Sequence, residues 1–512
     1  MVAAADGVAS QAGAFVLQRG GNAIDAAIAT SAAMAVVAPH LCGMGGDLFA
    51  LVSNNGTVSA LDAAGRAGSG ADAAAMRNEG LTSMPMHGDI RTVTVPGCVA
   101  GWTELHRRFG QISLDELLAP AIRLAEDGFA ASPLLCGSLR GIIPSLRENF
   151  SELITQVAGS GSLVCRPGVA RTLRAIAANG SDAFYKGEFG DGLLAIGHGL
   201  FSPIDMDNAR ATWVTPLVAK IYGKNVYSIP APSQGYLTLT SLGLAQQLDL
   251  PQNADDPHWA HLLIECATAA GYDRPEVLHD QADLAEVVRT RSQQVNLINH
   301  HRASNRRGLG ANGDTTYLCV VDSQGMGVSL INSNASGFGS GLFEQLTGIN
   351  LHNRGLGFSL QKGHVAELAP GHQPPHTLCP ALITNKDGSL RAVLGTMGGD
   401  AQPQVLLQII TRLLHNQQLN EPLSAINAGR WALRGATSGF DLWTGGQPAT
   451  VQVERHAPAQ WIQKLATYGH KVEIRRAFES SFGHAHGIIV RDDNTLVGGA
   501  DPRSVVGTCV GI

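Results

Sequence analysis

Four pairs of short apolar runs, each pair joined by a turn rich in Asn, Asp, Ser or Gly, constrain this chain more than any other feature of its sequence. Residues 48–53 and 57–61 flank Asn54-Asn55-Gly56. Residues 315–321 and 326–331 flank 322–325, residues 381–384 and 390–394 flank 385–389, and residues 487–490 and 496–499 flank Asp492-Asp493-Asn494. Such turns close β-hairpins, because glycine and asparagine accept the left-handed backbone a tight turn requires. None of the four hairpins is large enough to stand alone. Helical segments separate them, so the pattern predicts layered sheets covered by helices.

The helical segments carry their own punctuation. Residues 10–19 form an amphipathic run stopped by Gly20-Gly21. Asn22 caps an alanine-rich run over 23–37 that ends before Pro39, and so much alanine predicts close packing on a flat surface. The first forty residues as a whole read as helical. Residues 403–414 form another helix, with Pro403 in its first turn and Val405, Leu406, Ile409, Ile410, Leu413 and Leu414 on one face. The stretch 105–300 reads as mainly helical, and the chain has no solenoid repeat.

A 512-residue chain that is 44% hydrophobic and 15% charged can bury a large core. Its net charge of -6 is spread without basic or acidic runs, which argues against nucleic acid and anionic membranes as partners. No apolar run reaches the length of about 18 residues that a membrane span needs. The first residues lack the basic and long apolar parts of a secretory signal, so a cytoplasmic location is expected. The eight cysteines, Cys42, Cys98, Cys136, Cys165, Cys266, Cys319, Cys379 and Cys509, form no CxxC pair. Free buried thiols are expected, rather than disulfides or a zinc site.

One segment differs in character from its surroundings. Residues 299–314, NHHRASNRRGLGANGD, are polar and contain three arginines. They read as an exposed loop running into a strand at Thr315, a place where a chain break is tolerated. A threonine hydroxyl needs a base before it can attack an acyl carbon. If Thr315 opened a chain, its own α-amine, with a reference pKa of about 8, would supply one. By itself a Thr-Thr pair entering a strand is ordinary strand chemistry.

The wider set of motifs changes that reading. QAGAFVLQRGGNAIDAAIA at 11–29, GMGGDLFALV at 43–52, TVPGCVAGW at 94–102, GDTTYLCVVD at 313–322, GFGSG at 337–341, GTMGGDAQPQ at 395–404 and GGADPRSVVG at 498–507 follow one another along the whole chain. In this order they resemble the gamma-glutamyltranspeptidase family of N-terminal-nucleophile hydrolases. The resemblance implies an α+β fold, a four-layer αββα sandwich of two antiparallel sheets covered by helices. It implies self-cleavage between Asp314 and Thr315 into a large piece, 1–314, and a small piece, 315–512, that remain one intertwined domain. Thr315 then serves as nucleophile, Ser333 orients it, and the backbone N–H groups of Gly398 and Gly399 receive the oxyanion. The small-molecule substrate is held without a metal or organic cofactor. Pairing of two such units into a homodimer is the expected assembly.

The residues that would grip a glutamyl group are altered. The family's carboxylate-binding arginine aligns with Ala64, and Arg66 lies two residues later. The acidic residue for the substrate amine aligns with Gly357, and the paired serines with His376-Thr377. Arg66, Arg354, His376, Thr377 and Asn334 remain as candidate substrate contacts, a set that favours an anionic acyl group without a free α-amine. The GMGGDLF, AAGRA, PHT and GGDAQPQ segments look more like the family's acylase and amidohydrolase branch. Three readings follow: a self-processing hydrolase of an amide or acyl–carbon bond, a true γ-glutamyl transferase, and a non-catalytic binding descendant. His484 and His486, in FGHAHG, fit either structural support or a pocket wall.

Overall fold

The computed structural model describes residues 1–304, 315–419, 421–434 and 449–512. Thirteen strands build its two main sheets. In chain order they are β1 (Val2–Ala4), β2 (Asp47–Asn54), β3 (Thr57–Ala63), β4 (Thr212–Val214), β5 (Leu217–Ile221), β6 (Lys224–Ser228), β7 (Thr316–Val321), β8 (Gly327–Ser333), β9 (Ala381–Thr384), β10 (Leu390–Thr396), β11 (Ala485–Val490), β12 (Leu496–Ala500) and β13 (Thr508–Val510). The first sheet runs β13-β1-β7-β8-β2-β3-β4 and the second β12-β11-β10-β9-β6-β5. Every pairing in both is antiparallel.

Side-chain alternation along these strands creates the layers. In β2, Leu48, Ala50 and Val52 join the core under the first set of helices, while Phe49 and Leu51 face the second sheet. In β7, Leu318 and Val320 point to the helices and Tyr317, Cys319 and Val321 to the sheet interface. Val393 and Ile488 meet them from the second sheet, whose opposite face packs Ala392, Leu394 and Ile489 under the second set of helices. The result is the expected four-layer αββα sandwich.

The helices explain their own placement. α1 (Gly7–Gln18) is capped by Asp6, which accepts from Val8 N, and α2 (Ala23–Val37) by a reciprocal capping box between Asn22 and Asp25. Every residue of α2 is buried. It lies between the first sheet and α1, with Leu114–Asp127 also against it, and its alanines allow that approach on all sides. On the other face of the sandwich Gly235–Ala245 is equally buried, packed on Pro257–Gly271 and Gln402–Leu414.

All four hairpins expected from the sequence form, with ends shifted by one or two residues. Three expectations need correction. The chain does not begin as helix: Val2–Ala4 is a strand, held between β7 and the C-terminal β13. The middle of the chain contributes three strands to the main sheets, including a hairpin turning at Tyr222-Gly223, both with positive φ; the charged Lys220 and Lys224 obscure its alternation. β7 starts at Thr316, leaving Thr315 just ahead of it. All eight cysteines are free, six of them buried, with Cys165 and Cys509 partly exposed. No helix among the described residues is long and apolar enough to cross a membrane.

The GGADPRSVVG segment has a structural task. Asp501 accepts from Arg430 at 2.6 Å and Arg503 at 3.0 Å, and its Oδ2 also takes the Ala485 N–H at 2.8 Å. Arg503 pairs in turn with Glu454. All four side chains are buried. Removing one partner leaves an uncompensated buried charge, at a cost of about 3–5 kcal/mol. Asp501→Asn is expected to lose that much in urea unfolding; an unchanged midpoint would mean the cluster adds nothing.

Candidate active site

Strand register brings the expected nucleophile and its partner together. Thr316 pairs with Asn332 across β7 and β8, so Thr315 falls opposite Ser333, at the end of a strand that has neighbours on both sides. Thr315 and Ser333 are fully buried, and their hydroxyl oxygens share a hydrogen bond of 2.9 Å. Ser333 Oγ also accepts from Ala335 N at 2.9 Å and from Arg354 Nη2 at 3.2 Å. These two donors fill its acceptor capacity. Asp314 lies outside the described residues.

Arg354 connects the two halves of the site. Its Nη1 donates to Thr377 Oγ1 at 3.0 Å. Gln234 Nε2 then bridges the carbonyls of Thr377, at 2.8 Å, and Gly399, at 3.0 Å. A continuous chain of hydrogen bonds thus runs from Thr315 to the Gly398-Gly399 turn. Both glycines have positive φ, 133° and 55°, a backbone shape that side chains strain. Among the described residues neither N–H has an acceptor. The turn is anchored by its neighbours: Asp400 faces Arg274 at 3.4 Å, and Gln402 Oε1 accepts from Cys379 N at 3.0 Å.

Asp47 is the residue that motif reading overlooked. It opens β2 in direct register with Ser333. Its Oδ1 takes the N–H groups of Gly65 at 2.9 Å and Gly97 at 3.2 Å. Its Oδ2 accepts from His376 Nε2 at 3.2 Å and lies 3.5 Å from His352 Nδ1. Burial pushes the Asp47 carboxyl up, but His352, His376 and Arg354 outweigh it and hold the group below the usual carboxylate range. Burial lowers the Arg354 guanidinium to about 10, so it stays charged at neutral pH. The GMGGD glycines serve this geometry: a Cβ on Gly46 would collide with the Ser333 carbonyl, and one on Gly45 with the Asn350 carbonyl. The sequence held a signal for Asp47, a lone carboxylate opening an otherwise apolar strand. His352 left none.

The remaining candidates differ in their surroundings. His376 was read as a partner for an anion. Its Nε2–H is given to Asp47, its Nδ1 accepts weakly from Leu378 N at 3.4 Å, and its ring stands edge-on to Phe49. Burial lowers its pKa to about 3, so at neutral pH it is an uncharged support for Asp47. Arg66 is exposed and donates to the Gly371 carbonyl at 3.0 Å; among the described residues it makes no hydrogen bond to the Thr315 group. Asn334 is buried, its Nδ2 on the Pro39 carbonyl at 3.0 Å. His484 and His486 are buried beside Asp501, whose N–H meets His486 Nδ1 at 3.3 Å, and so belong to the structural cluster.

Comparison with known proteins places the whole chain. The family model described as Gamma-glutamyltranspeptidase matches residues 9–510. An oxamate amidohydrolase proenzyme of Klebsiella pneumoniae is 36% identical, the match covering 98% of this chain and 97% of that protein. A glutathione hydrolase-like YwrD proenzyme of Bacillus subtilis is 34% identical over 100% of this chain and 98% of its own. Among solved structures, a cephalosporin acylase from Bacillus halodurans superposes with a TM-score of 0.86 at 30% identity, covering 99% of this chain and 94% of that one.

Proposed function

Because the chain belongs to the gamma-glutamyltranspeptidase family, we propose that this enzyme cuts itself before Thr315 and then uses Thr315 to hydrolyse a small anionic acyl compound. The observation that carries the reading is the buried Thr315–Ser333 hydrogen bond with Arg354 on the far side of Ser333. In the uncut chain, Thr315 Oγ attacks the Asp314 carbonyl and the peptide becomes an ester. Water then cleaves the ester, leaving a carboxylate on Asp314 and a free amine on Thr315. In turnover that amine takes the hydroxyl proton as Oγ attacks the substrate's acyl carbon. The leaving group departs with a proton, and water releases the acyl-enzyme. The Gly398 and Gly399 N–H groups, which have no acceptor among the described residues, would receive the oxyanion.

Substrate class follows from charge and space. Arg354, protonated beside the nucleophile pair, favours a carboxylate-bearing acyl group. The likeness to an oxamate amidohydrolase proenzyme supports a small anionic amide. The γ-glutamyl reading has a likeness in its favour too, but a Cβ on Gly357 would strike the Pro375 carbonyl. The position that should carry an acidic anchor for the glutamyl amine therefore has no room for one unless residues 374–375 move. An acyl–carbon bond remains compatible with the same nucleophile.

The test is direct. Purified protein incubated with oxamate, with neutral amides and with glutathione is followed by product release and by intact mass of the 315–512 piece. Faster turnover of the anionic amide, with a transient acyl adduct on that piece, is expected. Glutamate release from glutathione as the preferred reaction would overturn the substrate assignment.

A further inference from the structure

A second cluster of side chains, away from the Thr315 site, has the make-up of a metal centre. His261 and Glu265 stand one turn apart on the helix Pro257–Gly271, so their side chains leave the same face. His470, immediately before the strand Lys471–Arg475, reaches the same point. One ligating atom from each of the three lies within 4.8 Å of the others. His261 Nδ1 and His470 Nε2 are only 2.8 Å apart.

The surroundings fix these groups as a ligand set would be fixed. His261 Nε2–H donates to the Asn299 carbonyl at 2.9 Å. In the neutral ring that leaves the lone pair on Nδ1, the nitrogen facing His470. A ligating histidine characteristically binds the ion through one nitrogen and gives its other N–H to a carbonyl or carboxylate. Tyr468 stacks on the His261 ring at 4.2 Å and 3°, which holds its plane. Glu265 Oε1 accepts from Ser304 N at 3.0 Å and Ser304 Oγ at 3.3 Å, which orients the carboxylate.

We propose that His261 Nδ1, His470 Nε2 and a Glu265 carboxylate oxygen bind one divalent transition-metal ion of the zinc type. Two imidazoles and one carboxylate suit zinc better than magnesium or calcium, which prefer all-oxygen sites. Without the ion, His470 Nε2–H donates to His261 Nδ1. On loading, the ion replaces that proton and the His470 ring takes a proton on Nδ1 by exchange with water. The two nitrogens then separate to about 3.3 Å, the spacing set by tetrahedral bonds of about 2.0–2.1 Å. Water or Ser304 Oγ supplies the fourth ligand. His261 and Glu265 belong to residues 1–314 and His470 to 315–512, so the ion ties together what the proposed cut would separate. The bound ion is structural, and metal binding itself does not depend on the cut.

Chelator-treated full-length protein is titrated with Co2+ and then Zn2+, following the visible spectrum and the melting temperature. One Co2+ per chain with a tetrahedral-type spectrum, displaced by Zn2+, and a Zn2+-dependent rise in melting temperature are expected. His470→Gln and Glu265→Gln should each weaken binding at least about tenfold, since even changes beyond the direct ligands cost that much. The exposed neighbours His300 and His301 serve as the control, and their joint replacement by alanine should leave affinity unchanged. Circular dichroism establishes that each variant is folded. Absence of binding by the folded unaltered protein overturns the site. So does binding that survives both Gln variants, or that disappears with His300 and His301.

Discussion

Replacing Thr315 by alanine is expected to leave a single chain of 53.5 kDa, whereas the unaltered protein yields two chains, the smaller beginning Thr-Thr-Tyr. The loss should be complete, because alanine removes the attacking oxygen. Thr316, next along the chain, begins β7 and pairs with Asn332 instead of Ser333, so its hydroxyl is no substitute. Thr315→Ser retains an oxygen and should still cut. Ser333→Ala should cut more slowly, by about 100-fold, the scale on which loss of one oriented polar group acts at such sites. It removes the hydroxyl that bonds Thr315 and strips Arg354 and the Ala335 N–H of a shared acceptor. Intact mass and N-terminal sequencing of fresh preparations decide the matter. Cleavage at the same bond in Thr315→Ala would assign the cut to an outside protease. An uncut chain in the unaltered protein would remove the proposed nucleophile altogether. The two pieces should stay associated after cutting, since each main sheet contains strands from both sides of residue 314.

Stability should collapse in mild acid. Burial lowers His40, His376 and His484 to about 3 and His486 to about 4, all from 6.5. Below pH 6.5 the unfolded chain takes up protons at these rings and the folded chain does not. Stability therefore falls as pH falls, by about 1.4 kcal/mol per pH unit for each ring and about 5.6 kcal/mol per unit for the four together. Against a total of about 5–15 kcal/mol for an ordinary domain that slope is steep, even though buried Asp62, raised to about 6, opposes it by about 1.4 kcal/mol per unit below pH 6. Asp501 acts in a lower window. Burial raises its carboxyl, but Arg430 and Arg503 outweigh that and bring it to about 2, so its contribution is present above about pH 4 and lost toward 2. Circular dichroism along a pH series, with urea unfolding at each pH, checks the slope. His40 offers the sharpest control, because neither ring nitrogen has a hydrogen-bond partner among the described residues. His40→Leu should lower the slope by about 1.4 kcal/mol per pH unit. A flat stability profile from pH 7 to 5 would mean that these rings gain protons in the folded state.

What the sequence by itself determined was local or carried in contiguous motifs. Asn54-Asn55-Gly56 set a hairpin because the turn conformation is decided by a few adjacent residues. Asn22 and Asp25 set the start of α2 for the same reason. Thr315 and Ser333 were marked as a pair by the family resemblance carried in those motifs, and hairpin register brings them together. The tertiary structure decided whatever joins distant segments. Val2–Ala4 and Thr508–Val510 become strands only because β7 and each other offer backbone partners, which three-residue runs cannot announce. Asp47, His352 and Arg354 meet around Ser333 from segments some 300 residues apart. The charge of His376 was likewise beyond the sequence: the residue type allows a cation, and burial, helped by nearby Arg354, outweighs the pull of Asp47 and keeps the ring neutral. Chain order fixes which groups are present and how neighbours bend. Which of them lose water together, and therefore which protons they hold, is settled when the two sheets close on one another.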